Sequence, residues 1–201
     1  DGVVDVWDCW GQDTEDTGGT GSAGSPSGEP YFSSVQFVSD AMMEEFCERY
    51  SVVYGGVTVT VAEGSEITSL DGLSCLEYVS NDFHLTLNTG SGISEVSLPN
   101  LEYVGEFTVY AAEAVSLEFP VLESTGKLAL SSPGIAAISV DSLTEVSGTV
   151  DLSQTSLPNL DAFANLMSIE ANFYLGDNDS MTDLSGMYGV TSIGGSVSIY
   201  S

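Results

Sequence analysis

The sequence predicts an all-β fold: a parallel β-solenoid of about six to seven coils, with a short N-terminal capping helix and an extended N-terminal arm. Three observations predict it. An apolar-x-apolar triplet recurs about every 23 residues. A small residue, usually glycine, stands two positions before most triplets. A run of spaced apolar residues fills the second half of each period.

The triplets are Val57-Thr58-Val59, Phe83-His84-Leu85, Phe107-Thr108-Val109, Leu128-Ala129-Leu130, Val150-Asp151-Leu152, Phe173-Tyr174-Leu175 and Val197-Ser198-Ile199. From first residue to first residue the steps are 26, 24, 21, 22, 23 and 24. Alternation at period two, in β-branched, leucine and aromatic residues, marks strands with one buried face. The slot before the triplet holds Gly55, Gly105, Gly126, Gly148 and Gly195, with Asn81 and Ala171 as exceptions. Glycine and asparagine tolerate positive φ, so a left-handed corner is expected there. The apolar runs include Leu70, Leu73, Leu76 and Val79, and later Leu160, Phe163, Leu166 and Ile169. Their spacing, and Pro99, Pro120 and Pro158 within such runs, argue against α-helix and for short strands or 3₁₀ turns bending round a corner.

Ahead of the repeats, residues 39–50 read as a short helix with Ser39 or Asp40 as N-cap and Met42, Met43, Phe46 and Tyr50 on one side. The expected organisation is an apolar arm (1–11), a Gly/Ser/Thr-rich acidic linker (12–30), a capping segment with the helix (31–54) and the solenoid (55–201). The last period is cut one strand into a new turn, which leaves that end of the solenoid expected to be open.

Residues 181–199 and 67–85 carry the pattern Ile/Met-Thr-x-Leu-x-Gly-Leu/Met-x-x-Val/Leu-x-x-Ile/Val, followed by the next strand. This resembles the receptor L-domain family, over about residues 46–201. The resemblance implies a right-handed, leucine-rich-repeat-like β-solenoid of bacterial or fungal cell-surface type. It implies ligand-binding ectodomains or wall and surface proteins, and brings no catalytic motif. It also implies a disulfide between Cys47 and Cys75, as L-domain caps often close that way. Cys9 is then left over, as a free thiol or one pairing between molecules. The alternative is three reduced, buried thiols.

Thirty acidic residues stand against Arg49 and Lys127, a net charge of −28. That excludes nucleic acid and anionic membrane as direct electrostatic partners. It fits either solubility in a salty medium or calcium bound along acidic edges. Two calcium readings arise. Gly176-Asp177-Asn178-Asp179-Ser180, with Asp183, gathers oxygen ligands in a short loop. Asp1 and Asp5 resemble the second half of an EF-hand-like or thrombospondin type-3 loop, whose other ligands would come from elsewhere. Asn178-Asp179-Ser180 is also an N-glycosylation triplet. No stretch is long enough to span a membrane as a helix. The chain opens at Asp1, so it reads as a processed, secreted product.

Catalysis is not expected. His84, the one histidine, falls at an outward strand position without a nucleophile or second metal ligand. The outward positions Thr58, His84, Thr108, Ala129, Asp151, Tyr174 and Ser198 hold one carboxylate, too few for glycoside chemistry, and their threonine row is broken.

The arm carries Val3, Val4, Val6, Trp7, Trp10 and Cys9 on a tether that spans about 60 Å when extended. An isolated apolar strand of this kind needs a sheet edge. The leading expectation is therefore an extracellular structural protein that assembles with copies of itself. Val3, Val4, Val6, Trp7 and Trp10 would donate a strand to Val197, Ile199 and Tyr200 of the next copy, and Cys9 would lock the joint. The alternative is a cell-surface L-domain module, adhesin or receptor, recognising a glycan or a protein.

Overall fold

The computed structural model describes residues 28–200 and shows a β-solenoid of about seven turns with one short helix. Two lanes of parallel strands run along it. The first lane is β1 (Glu29–Tyr31), β3 (Tyr50–Val53), β5 (Tyr78–Leu87), β7 (Tyr103–Ala111), β9 (Ser124–Ala129), β11 (Glu145–Val146), β13 (Ser168–Ile169) and β15 (Ser192–Ile193). The second is β2 (Val35–Phe37), β4 (Val57–Val61), β12 (Val150–Asp151), β14 (Phe173–Gly176) and β16 (Val197–Tyr200), joined by the distal parts of β5, β7 and β9. A separate three-stranded sheet, β6 (Glu95–Ser97), β8 (Val115–Glu118) and β10 (Ile135–Ser139), closes the third side over the middle coils. Elsewhere that side is turned by 3₁₀ segments at Asp71–Leu73, Asp161–Phe163 and Ser185–Met187.

The predicted triplets stack one upon another. Val57 pairs with Phe83, Phe83 with Phe107, Phe107 with Leu128, Leu128 with Val150, Val150 with Phe173 and Phe173 with Val197. Each inward side chain thus rests on its equivalent one coil away, and from Val57 to Phe173 all are buried. The interior is lined mainly by leucine, valine and phenylalanine. Phe83, Phe107 and Phe119 interlock edge to face at 5.4 and 4.7 Å.

One layer precedes those read from the repeat. Val35-Gln36-Phe37 pairs in register with Val57-Thr58-Val59, and β1 begins at Glu29, inside the stretch expected to be linker. The helix α1 (Asp40–Cys47) replaces the apolar run of this layer, which hid the repeat. Its N-cap is Ser39, whose hydroxyl accepts the Met42 N–H at 3.3 Å. Met43 and Phe46 are buried. Phe46 sits among Tyr31, Phe37 and Tyr50 at centroid distances of 5.0–5.3 Å, an aromatic plug over the first coil.

The glycine slot has a different cause from the one expected. Among the described residues, positive φ occurs at Gly64, Gly90, Gly92, Gln154 and Asp177, and at none of the slot glycines. The slot instead brings successive coils into backbone contact. A β-carbon on Gly126 would collide with the Gly105 carbonyl, and one on Gly148 with the Gly126 carbonyl. At Asn81, which breaks the pattern, β5 shifts register between Val79 and Asp82.

Candidate interaction surfaces

The sheet edge at β16 is the first candidate. Val197 and Ile199 occupy the inward ladder positions that are buried in every earlier coil, yet they are 51% and 59% exposed. Among the described residues β16 pairs with β14 alone. Its outer row of N–H and C=O groups and its apolar side chains are uncovered among the described residues. Tyr200, 55% exposed, lays its ring against the backbone of Gly176, where a β-carbon would collide with it. Leu184 and Tyr188 of the same last coil are exposed as well. The structure therefore brings Val197, Ile199 and Tyr200 together as an accessible edge. The donor residues Val3, Val4, Val6, Trp7 and Trp10, the thiol of Cys9, and the calcium candidates Asp1 and Asp5 lie outside the described residues.

The disulfide implied by the resemblance is present: Cys47 at the end of α1 is bonded to Cys75 of the next coil. Together with Arg49, Glu29 and Ser51 the pair lines a shallow cavity of about 370 Å³.

The loop at 176–183 is not assembled as a calcium site. The Asn178 side-chain oxygen already accepts the Thr155 N–H at 2.7 Å and the Thr155 hydroxyl at 2.9 Å, tying one coil to the previous one. Its amide nitrogen is buried and has no partner. Asp183 turns to its own 3₁₀ segment, accepting the Ser185 N–H at 2.8 Å. That backbone bond, with help from the Ser185 hydroxyl, holds its carboxyl below the usual range. Asp177 takes positive φ and points to solvent, as does Asp179. Among the described residues no group of three or more acidic, histidine or cysteine side chains is arranged to hold a metal ion. The burial of the Asn178 nitrogen also removes the glycosylation triplet as an accessible acceptor in the folded chain.

A second surface was not legible as a site. Phe32 and Tyr54 stack at 5.3 Å with planes 14° apart, and Tyr78 and Tyr103 at 4.9 Å and 18°. Tyr54 and Tyr78 join the two stacks at 5.9 Å. The four rings form one diagonal row across the outside of four coils. Burial first, and the neighbouring Tyr103 and Tyr54 hydroxyls second, push the Tyr78 phenol above its ordinary range. The signal in the sequence was the twice-written Leu-Glu-Tyr-Val, at 76–79 and 101–104. Finding Phe32 and Tyr54 required knowing that a coil begins before the repeat. His84 is exposed on the outer face, between Thr58 and Thr108.

No family model, curated protein or solved structure matches the chain. Among the described residues no helix is long and apolar enough to cross a membrane.

Proposed function

We propose that this chain is a non-catalytic, extracellular structural module of receptor L-domain type, which associates with copies of itself by extending the sheet at β16. The observation that supports this reading is that Val197, Ile199 and Tyr200 continue the parallel ladder of β14, with nothing laid beyond β16 among the described residues. A sheet edge backed by apolar side chains is a template for a further parallel strand. The proposed strand is the apolar segment bearing Val3, Val4, Val6, Trp7 and Trp10 of a neighbouring copy, joined to its solenoid through a polar stretch of sequence. Such a contact joins unlike surfaces, so it propagates as a filament unless it closes into a ring. The disulfide, with no helix able to span a membrane among the described residues, is compatible with the outside of a cell. Cys9 would secure the joint in that oxidising setting.

The test is sedimentation and electron microscopy of the full chain beside a deletion of residues 1–11 and an Ile199→Glu variant. The proposal expects assemblies from the full chain, and folded monomers from both variants. Assemblies that persist in both variants, or a full chain that stays monomeric, sink it.

The second reading is a cell-surface binding module. The aromatic row, and not the family resemblance, is what favours it.

A further inference from the structure

We infer that the row Phe32–Tyr54–Tyr78–Tyr103 is a docking surface for a cationic, arginine-bearing segment of a protein partner. This inference is independent of assembly at β16.

The row is an anomaly for a surface. Phe32 is 65% exposed and Tyr54 42%, and the described residues cover neither. A scattered apolar residue on a surface needs no account, but four aromatic rings in contact form a patch, and patches mark interaction sites. The surroundings select the occupant. Glu102 directly precedes Tyr103, and Asp82 and Glu106 pair in register four and three residues further along β5 and β7, past the register shift. Among the described residues the only cations are Arg49 and Lys127, and both are engaged: Arg49 with Glu29 at 3.9 Å, and Lys127 with Glu106 at 3.5 Å. An apolar partner laid on the row would supply no counter-charge to Glu102 beside Tyr103 or to the strongly negative surface around it. Nucleic acid and anionic lipid are repelled.

The stacking of Phe32 on Tyr54 and of Tyr78 on Tyr103 leaves ring edges, hydroxyl groups and the outermost faces for a partner, and a neutral sugar laid there would leave the negative charge of the surface unpaired. A guanidinium satisfies all of these. It stacks on an aromatic face, donates to phenol oxygens and forks onto carboxylates. The molecule already contains one such arrangement. The Arg49 guanidinium lies 5.3 Å from the Tyr50 ring centroid while reaching the Glu29 carboxylate. The aromatic row repeats those two components, ring and carboxylate, over several coils and leaves the cation to be supplied from outside.

The experiment is calorimetric titration of the full chain with hexa-arginine, hexa-lysine and an uncharged hexapeptide at low and high salt. Tyrosine ring signals are followed by NMR in the same titrations. The expected result is hexa-arginine bound more tightly than hexa-lysine, no binding of the uncharged peptide, and perturbed Tyr54, Tyr78 and Tyr103 signals. Joint Tyr78→Ser and Tyr103→Ser substitution should weaken hexa-arginine about tenfold. Should that protein fail to fold by circular dichroism, the joint Phe32→Ser and Tyr54→Ser variant, at the two most exposed rings, makes the same test. Equal affinity for both cationic peptides, or affinity unchanged by loss of the rings, overturns the inference in favour of diffuse attraction to an acidic surface. An absence of binding at low salt, or a neutral oligosaccharide perturbing the same tyrosines, overturns it as well.

Discussion

Asp40, the first residue of α1, grips Thr68 of the following coil: its carboxylate accepts the Thr68 N–H at 2.9 Å and the Thr68 hydroxyl at 2.6 Å. About two helical turns later, Cys47 fastens the other end of the same helix to Cys75. The helix is thus tied at both ends to the second coil, and Met43 packs closely on Gly72 between the ties.

The Asp40 contact gives a pH signature. The Thr68 hydroxyl, and then the backbone N–H groups of Thr68 and Ser69, hold the Asp40 carboxyl below its usual value of 3.8. A depressed folded-state value means the stabilisation is present above the unfolded value and lost as pH falls through the folded one. Asp40→Ala should lower unfolding free energy by about 0.5–1 kcal/mol at neutral pH, discounted for an exposed carboxylate. In urea titrations the gap between wild type and variant should close as pH falls below the usual value. A gap that stays constant down to strong acid contradicts the assignment.

The Cys47–Cys75 bond closes a loop of 28 residues in sequence. By loop-closure entropy its removal should cost about 3–4 kcal/mol. Joint Cys47→Ser and Cys75→Ser substitution should lower the thermal midpoint. Hydrogen exchange should accelerate most in α1 and β1–β3, with the β11–β14 coils changed least. Uniform acceleration along the solenoid would show that the bond is not a local cap.

Two glycines should respond to alanine for different reasons. Gly126→Ala sets a methyl against the Gly105 carbonyl within the stacked backbone, and should cost about 2–4 kcal/mol through forced separation of coils. Gly64→Ala meets no atom within 4 Å but sits at φ +75°, and should cost only about 1 kcal/mol. Denaturant midpoints of the two variants rank them directly, and the reverse order refutes the close-approach explanation.

Asn178 links coils through Thr155, so Asn178→Ala should cost about 1–2 kcal/mol by leaving the Thr155 N–H and hydroxyl without their acceptor. The same burial predicts that a glycan added at Asn178 before folding, in a eukaryotic secretory route, keeps the side chain from its folded position and lowers stability relative to the unmodified chain. A glycosylated, fully stable product would count against the geometry.

The solenoid was legible because its physics is local and repeated. Each triplet from Val57 to Phe173 buries two side chains on one face, and the repeated period stacks them coil upon coil. The helix was legible from Ser39 and the Met43–Phe46 spacing. The layer at Val35–Phe37 was not, because α1 interrupts the apolar run by which a coil is recognised. The directions of the oxygens of Asp177, Asn178, Asp179 and Asp183 were not legible, because composition cannot say which way a side-chain oxygen points: Asn178 turns inward to Thr155, and Asp183 caps its own turn.

Sequence by itself determined the period, the inward residues and the excess of negative charge, since each depends on residue type and spacing along the chain. Only the tertiary structure decided why the slot glycines are small, because the clash partner of Gly126 lies one coil away. It alone placed Phe32 and Tyr54 beside Tyr78 and Tyr103. The rings belong to separate coils, and their contact depends on a register that stacking sets and linear order does not reveal.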